Sequence, residues 1–462
     1  MARDVSDTTP ITSRNMLVEW LEAGCKTAGA PLRIGTEHEK IPFYAGDNAP
    51  VPYNGAAGRG GVRALLEGLG DALGWAPIFD RDALIGLYEP DGGGAISLEP
   101  GGQFELSGAP LSDVHATKAE LDAHFAALAP VAGALGVRFL DLGCSPKWSR
   151  AQTPAMPKQR YAIMQAYMPK VGARGLDMMF RTATVQVNVD FVYEADMVQK
   201  MRVGLALQPL ITAMFANSPF LDGQPTGRLS QRSYIWLDTD PNRTGMLPFA
   251  FEQGFGFERY VDYALDVPMY FVKRGDIYYD VAGASFRDLM EGRLRQLPGE
   301  HATMSDWANH LSTIFPEVRL KTYLEMRGAD AGPRAHFIAL PALCAGLLYD
   351  PGALDEAREL TRHWSAAARQ ALRDDVPALA LDAIIEGRSL RDVGRDVLAL
   401  AKRGLRRRAR LDAESRDESV FLAPLEAILE DGRTLAQRRL DAYYGGWGQS
   451  IDAAFADCVL PI

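Results

Sequence analysis

Cysteine is scarce in this chain: four in 462 residues, Cys25, Cys144, Cys344 and Cys458. They lie far apart and form neither a metal-ligand nor a redox spacing. Scattered cysteines of this kind fit a reducing compartment, and the expected location is the cytoplasm. Long apolar runs are also lacking. No stretch reaches the ~18 residues needed to cross a bilayer. The opening Met1-Ala2-Arg3-Asp4-Val5-Ser6-Asp7 has no apolar core of a signal peptide. Positive charge is not in surplus: the formal net charge is −10, which argues against binding along a phosphate backbone. The basic run Arg406-Arg407-Arg408 sits in a helical pattern as a solvated face. Neither membrane nor nucleic acid is an expected partner. Glycine is plentiful, yet no Gly-x-x-x-x-Gly-Lys-Ser/Thr motif and no strand–Gly-x-Gly-x-x-Gly–helix pattern occurs. A bound nucleotide would not be held in the P-loop or Rossmann manner.

What is present starts with Arg33-Ile34-Gly35-Thr36-Glu37-His38-Glu39-Lys40-Ile41-Pro42-Phe43-Tyr44. Read as a strand, it projects Glu37 and Glu39 from one face, roughly 6–7 Å apart. Two carboxylates so placed repel one another, and burial without compensation raises their pKa values. A divalent cation such as Mg²⁺ or Mn²⁺, or basic side chains, would relieve this. A solvated edge strand with two surface glutamates is the alternative on this stretch alone.

Further along, Ala95–Leu98 and Gln103–Ser107 flank Pro100-Gly101-Gly102, a strong turn signal. Glu99 and Glu105 bracket that turn and could meet a common metal; an ordinary surface hairpin is the other reading. Amphipathic helices are expected near 12–24, 62–73 and 112–135, and residues 157–168 read as a helix carrying Arg160. Residues 179–191 alternate over a long run, with Thr182, Thr184, Gln186, Asn188 and Asp190 on one face. That face holds no lysine or glutamate and suits a lined cavity. Residues 217–248 read as a long functional loop holding Arg228 and Arg232, whose guanidinium groups suit carboxylates and phosphates. Residues 269–281 read as a hairpin beginning at Tyr270. Residues 319–327 read as one strand with Arg319, Lys321, Tyr323, Glu325 and Arg327 on a face, a metal-and-phosphate pairing or a salt-bridge strip. From about residue 350 to 462 the pattern is mainly helical. Residues 1–11 read as a flexible lead, and 12–462 as a single catalytic domain.

Taken in order, Thr36-Glu37-His38-Glu39-Lys40, Leu98 to Ser107, Thr184-Val185-Gln186-Val187-Asn188, Trp236-Leu237-Asp238-Thr239-Asp240 and Tyr323 to Asp330 resemble glutamate–cysteine ligase of the plant and proteobacterial type. The resemblance extends from about residue 12 to the end, including Gly446-Trp447-Gly448-Gln449-Ser450. It implies an α+β, glutamine-synthetase-like fold: a curved antiparallel sheet forming a funnel, with helices packed outside. It also implies the first step of glutathione biosynthesis, in which ATP, L-glutamate and L-cysteine give γ-glutamylcysteine through a γ-glutamyl phosphate. Mg²⁺, or Mn²⁺, would be the cofactor and ATP the co-substrate, in a monomer or homodimer. By resemblance the metal shell is Glu37, Glu39, Glu99, Glu105, Gln186 and Glu325. Arg327 and Arg160 would stabilise the transferring phosphoryl group. Arg232, Tyr270 and Asn188 would bind the amino-acid substrates. At positions matching the plant regulatory cysteines the chain has Val281, Gln296 and Ile338, so a plant-type thiol switch is not expected. The alternatives are a related ligase with another amine acceptor, or a non-catalytic scaffold of the same fold.

Overall fold

An eleven-residue strand, β1 (Ile34–Tyr44), is buried at every position except the half-buried Glu37. In the computed structural model, which describes residues 6–27 and 29–462, this strand is central to a nine-stranded sheet. The other members are β2 (Ala76–Asp80), β3 (Ala83–Tyr88), β4 (Ala95–Leu98), β5 (Phe104–Ser107), β6 (Val137–Leu140), β7 (Thr184–Val189), β8 (Val318–Leu320) and β9 (Leu324–Asp330). Their spatial order is β8-β9-β7-β1-β5-β4-β3-β2, with β6 beside the second half of β1. All neighbours are antiparallel. Val185, Val187 and Val189 on β7 supply branched side chains to the packed face, where β propensity is highest.

The helices that matter here are α1 (Val114–Ala134), α2 (Gln159–Tyr167), α3 (Gly175–Arg181), α4 (Glu194–Met214), α5 (Gln231–Trp236), α6 (Arg334–Leu348) and α7 (Leu390–Arg408). α6 lies behind β1 and β7, where Phe337 stacks on His38 with ring centroids 4.6 Å apart. α7 crosses α6 at a pair of glycines. A Cβ on Gly404 would stand 1.9 Å from the Gly346 carbonyl oxygen, so only glycine permits this approach.

The structure corrects several sequence-based expectations. The strand expected from residue 179 begins only at Thr184, because residues 175–181 are the helix α3. Leu-Asp-Met-Met-Phe-Arg contains no β-branched residue and consists mostly of good helix formers, so its apparent alternation carried no strand preference. Residues 319–327 are not one strand but a hairpin. Lys321 N–H donates to the Tyr323 carbonyl (2.8 Å) and turns the chain from β8 into β9. The expected loop 217–248 contains α5, whose N-terminus is capped by the Ser230 hydroxyl. The lead is tied down over residues 7–11: Met304 N–H donates to the Thr9 carbonyl, Ile11 N–H to that of Ala302, and Ile11 is buried. The expectation for residues 1–5 lies outside the described residues. The hairpin over residues 271–280 forms as expected.

Candidate active site

Alternation on β1 sends Glu37 and Glu39 to one face of the sheet and His38 and Lys40 to the other. Register then sets their neighbours: Glu39 lies opposite Glu105 on β5, and Glu37 opposite Gln186 on β7. Gly35 lies opposite Asn188. A Cβ there would press on the Asn188 side chain at 3.3 Å; its absence leaves room for Asn188 Nδ2 to donate to Glu37 Oε1 (2.8 Å). Glu99 follows β4 at the turn through Gly102, whose φ of 83° is in the region that favours glycine. Glu37, Glu39, Glu99, Glu105 and Gln186 line a cavity of about 870 Å³, its open mouth included. Arg160 of α2, Arg232 of α5 and Arg327 of β9 stand in the same wall.

The charge balance of that space is unusual. Burial raises the pKa of Glu37, and the negative charges of Glu325 and Glu105 raise it further. Burial raises Glu39 well above the ordinary carboxylate range, with Glu99 and Glu105 adding to the effect. Glu99 is raised by burial and by Glu105, against the pull of Lys158 and Arg160. Glu105 is the exception. Desolvation is opposed there by hydroxyl donors, Ser107 Oγ at 2.6 Å and Ser97 Oγ at 2.7 Å, and by the positive charge of Lys158. Three carboxylates that disfavour their own ionisation around one hollow, all oxygen donors, suit a hard divalent cation. The donor chemistry therefore fits Mg²⁺, although among the described residues no three acidic, His or Cys side chains converge on one point.

Three expected site residues do not line the cavity. Glu325 is fully buried and does not line the cavity. Because β8 turns back on β9, Arg319 stands opposite it. Arg319 Nη2 pairs with Glu325 at 2.8 Å, Lys321 Nζ at 3.0 Å, and Arg327 completes the cluster. Despite desolvation, these three cations hold Glu325 well below the ordinary carboxylate range. In this arrangement Glu325 is the counter-ion of three cations, where the sequence reading expected a metal ligand. Tyr270 is likewise outside the cavity. Its ring packs under the Arg243 guanidinium at 3.7 Å and against Tyr167. Asn188 acts on Glu37 and does not line the cavity itself. Gln186 does line it, but its Oε1 already accepts from Arg327 at 2.6 Å.

The arginines are held by groups that sequence reasoning passed over. Asp330 accepts from Ser218 Oγ (2.6 Å), Ser230 Oγ (2.8 Å) and the Asn217 N–H (2.9 Å). Ser218 Oγ in turn accepts from the Arg232 N–H at 3.1 Å, so Asp330 fixes the start of α5. The buried Arg232 guanidinium donates to the Arg327 carbonyl at 2.8 Å and faces Asp330 and Glu39. Asp330 lies 112 residues from Ser218 and 100 from Ser230, and no local pattern joins them. Arg319 is close to Glu325 in sequence and was offered as part of a salt-bridge strip; what the sequence hid is the hairpin that sets the two side chains opposite one another.

Residues 33–457 match the family described as Glutamate-cysteine ligase family 2 (GCS2). The chain is 51% identical to the chloroplastic glutamate–cysteine ligase of Nicotiana tabacum over 448 residues, 97% of this chain and 83% of that one. It is 51% identical to the chloroplastic enzyme of Arabidopsis thaliana over 450 residues, 97% and 83% of the two chains. Against glutamate–cysteine ligase B of Oryza sativa subsp. japonica, also chloroplastic, identity is 50% over 453 residues, 98% and 88%. The structure superposes on glutamate–cysteine ligase of Francisella tularensis, solved in complex with AMP, with a TM-score of 0.52 at 11% identity, over 91% of this chain and 86% of that one. The fold is α+β and glutamine-synthetase-like, with an antiparallel sheet. The cytoplasmic placement expected from the cysteines is corrected, since these relatives are named chloroplastic and their names point to a plastid. Reduced thiols are not unique to the cytoplasm.

Proposed function

The chain belongs to glutamate-cysteine ligase family 2, and on that premise we propose that it joins the γ-carboxylate of L-glutamate to the amine of L-cysteine at the expense of ATP, giving γ-glutamylcysteine, ADP and phosphate. This is the first step of glutathione biosynthesis. The observation that carries the reading is the convergence of Glu37, Glu39, Glu99 and Glu105 on one cavity whose wall also holds Arg160, Arg232 and Arg327.

A carboxylate oxygen is a poor leaving group, so an amide forms only after the γ-carboxylate has been phosphorylated. Positioning and charge stabilisation then carry the reaction, and no side chain is needed as a covalent nucleophile. Glu37, Glu39, Glu99 and Glu105 would hold Mg²⁺, with Gln186 beside them as a neutral oxygen donor. The metal, when bound, neutralises triphosphate charge. Arg160 and Arg327 stabilise negative charge on the transferring phosphoryl group. Arg232, desolvated and fixed at the base of α5, holds a substrate carboxylate. Asn188 orients the Glu37 carboxylate.

Purified protein given glutamate, cysteine, ATP and Mg²⁺ should release ADP and γ-glutamylcysteine in equal amounts. Absence of ADP release under these conditions would refute the reading. Substituting other amines for cysteine separates it from a ligase with a different acceptor.

A further inference from the structure

Beside the main cavity lies a smaller hollow of about 300 Å³, its open mouth included. The two share four residues: Arg232, Trp236, Phe315 and Arg327. Two of these are aromatic rings that meet edge to face, with centroids 5.9 Å apart and planes at 67°. The Arg327 guanidinium lies 6.0 Å from the Trp236 ring and 5.6 Å from that of Phe315. The ring pair is therefore a partition between the carboxylate-lined cavity and the smaller hollow.

Phe315 is set in place by a clamp that lies outside both spaces. Asp240 and Arg243 are fully buried and line neither. Arg243 Nε donates to Asp240 Oδ2 at 2.6 Å, Nη1 to the Thr313 carbonyl at 3.0 Å and Nη2 to the Pro268 carbonyl at 2.6 Å. The Arg243 carbonyl accepts from the Phe315 N–H at 2.7 Å, and Thr244-Gly245 pairs in parallel with Phe315-Pro316. Arg319 Nη1 donates to the Ser312 carbonyl at 2.8 Å and to that of Ile314 at 3.2 Å. Three successive carbonyls, those of residues 312 to 314, are thus held by two arginines. A planar fork of fixed donors suits this task, and the Asp240 carboxylate supplies the counter-charge that a buried guanidinium needs. The Trp236–Asp240 motif provides both parts, a ring of the partition at one end and the anchor of the clamp at the other.

We infer that Asp240 and Arg243 are positioning residues: by clamping residues 312–316 they keep the Trp236–Phe315 partition shut and water away from the γ-glutamyl phosphate, so that each ATP consumed yields one dipeptide. The inference rests on the ligase reading above. An acyl phosphate reacts with water as well as with an amine. In that leak the water oxygen bonds to the acyl carbon, the bond from that carbon to the phosphate oxygen breaks, and glutamate and inorganic phosphate leave with a proton passing to solvent. Excluding water leaves the cysteine amine as the nucleophile.

The test is the ratio of ADP released to γ-glutamylcysteine formed, which does not depend on the fraction folded. It is measured on wild type, on two clamp variants and on Phe315→Leu, which removes a ring of the partition and leaves the clamp intact. Arg243→Lys keeps the charge opposite Asp240 but loses the fork that spans the Thr313 and Pro268 carbonyls. Asp240→Asn keeps the side-chain shape and loosens the anchor. The ratio should be about one in wild type and rise to roughly two or more in all three variants. The excess ADP should require glutamate and should shrink as cysteine is raised, since amine and water compete for one intermediate. A ratio that stays at one in a soluble clamp variant or in Phe315→Leu, or excess ADP that forms without glutamate, would overturn the inference. A wild-type protein that releases no ADP at all would instead sink the ligase reading, a separate and recognisable failure.

Discussion

Glu325 and Glu39 are both glutamates on the polar face of one sheet, yet their surroundings give them opposite tasks. Glu325 meets Arg319, Lys321 and Arg327 and is held ionised. Replacing it with glutamine leaves three buried cations without their counter-charge. Glu325→Gln should therefore lose about 3 kcal/mol of stability, read as a lower denaturant midpoint; an unchanged midpoint would contradict the cluster's role. Glu120 on α1 makes a further residue-scale prediction. It accepts from the Ala109 N–H at 2.7 Å, and burial lifts its carboxyl from 4.5 to about 7. Folded protein thus keeps this proton where unfolded chain has released it. The stability contributed by protonated Glu120 is complete below pH 4.5 and is lost as pH rises through about 7. Glu120→Gln removes that dependence. The variant should match wild type near pH 4.5 and exceed it by ~2 kcal/mol at pH 8, which paired urea titrations at the two pH values would measure. Which carboxylates share a face was legible in the sequence, because alternation on a strand is local. Which of them meets a cation was not. That depends on partners such as Arg319 across a hairpin that the run of alternating residues concealed.

Short elements matter here through where they touch. The Pro100-Gly101-Gly102 turn holds Glu99 on one side and abuts α3 on the other, and Gly101 is the contact. Gly101→Ala must push α3 away from the turn. A loss of about 1–3 kcal/mol is expected, as for overpacking elsewhere, together with a fall in kcat/KM because α3 and the turn carrying Glu99 separate. A thermal melt and an activity assay on one preparation check both; a variant as stable and active as wild type would show that the corner is not rigid. The β4–β5 hairpin around this turn was legible, since Pro-Gly-Gly between two short apolar runs is a strong local signal. α3 was not. Its methionines continue the period of β7 by coincidence, and the helix is held by Gln103, some 75 residues earlier. The β2–β3 hairpin, with a weak pattern and no sharp turn motif, was missed altogether.

At the scale of the whole molecule, the site exists because a sheet gathers strands remote in sequence. Glu37 meets Gln186 and Ser107, and Glu39 meets Glu105, across pairings that no local pattern encodes. The sheet order was therefore supplied by resemblance and by the folded chain, whereas the helical character of the C-terminal part followed from periodicity alone. Gathering these acids works against stability. Glu37, Glu39 and Glu99 each resist ionisation, a pattern that favours function over rigidity. A cation that binds the cavity should relieve that repulsion, stabilise the fold and displace protons from the carboxylates. The most direct measurement is a calorimetric Mg²⁺ titration of wild type and Glu39→Gln at pH 7, in two buffers of different ionisation enthalpy. The account predicts saturable binding with proton release in wild type, and affinity at least about tenfold weaker in Glu39→Gln. Identical isotherms for the two proteins, or no saturable binding to wild type, would contradict it.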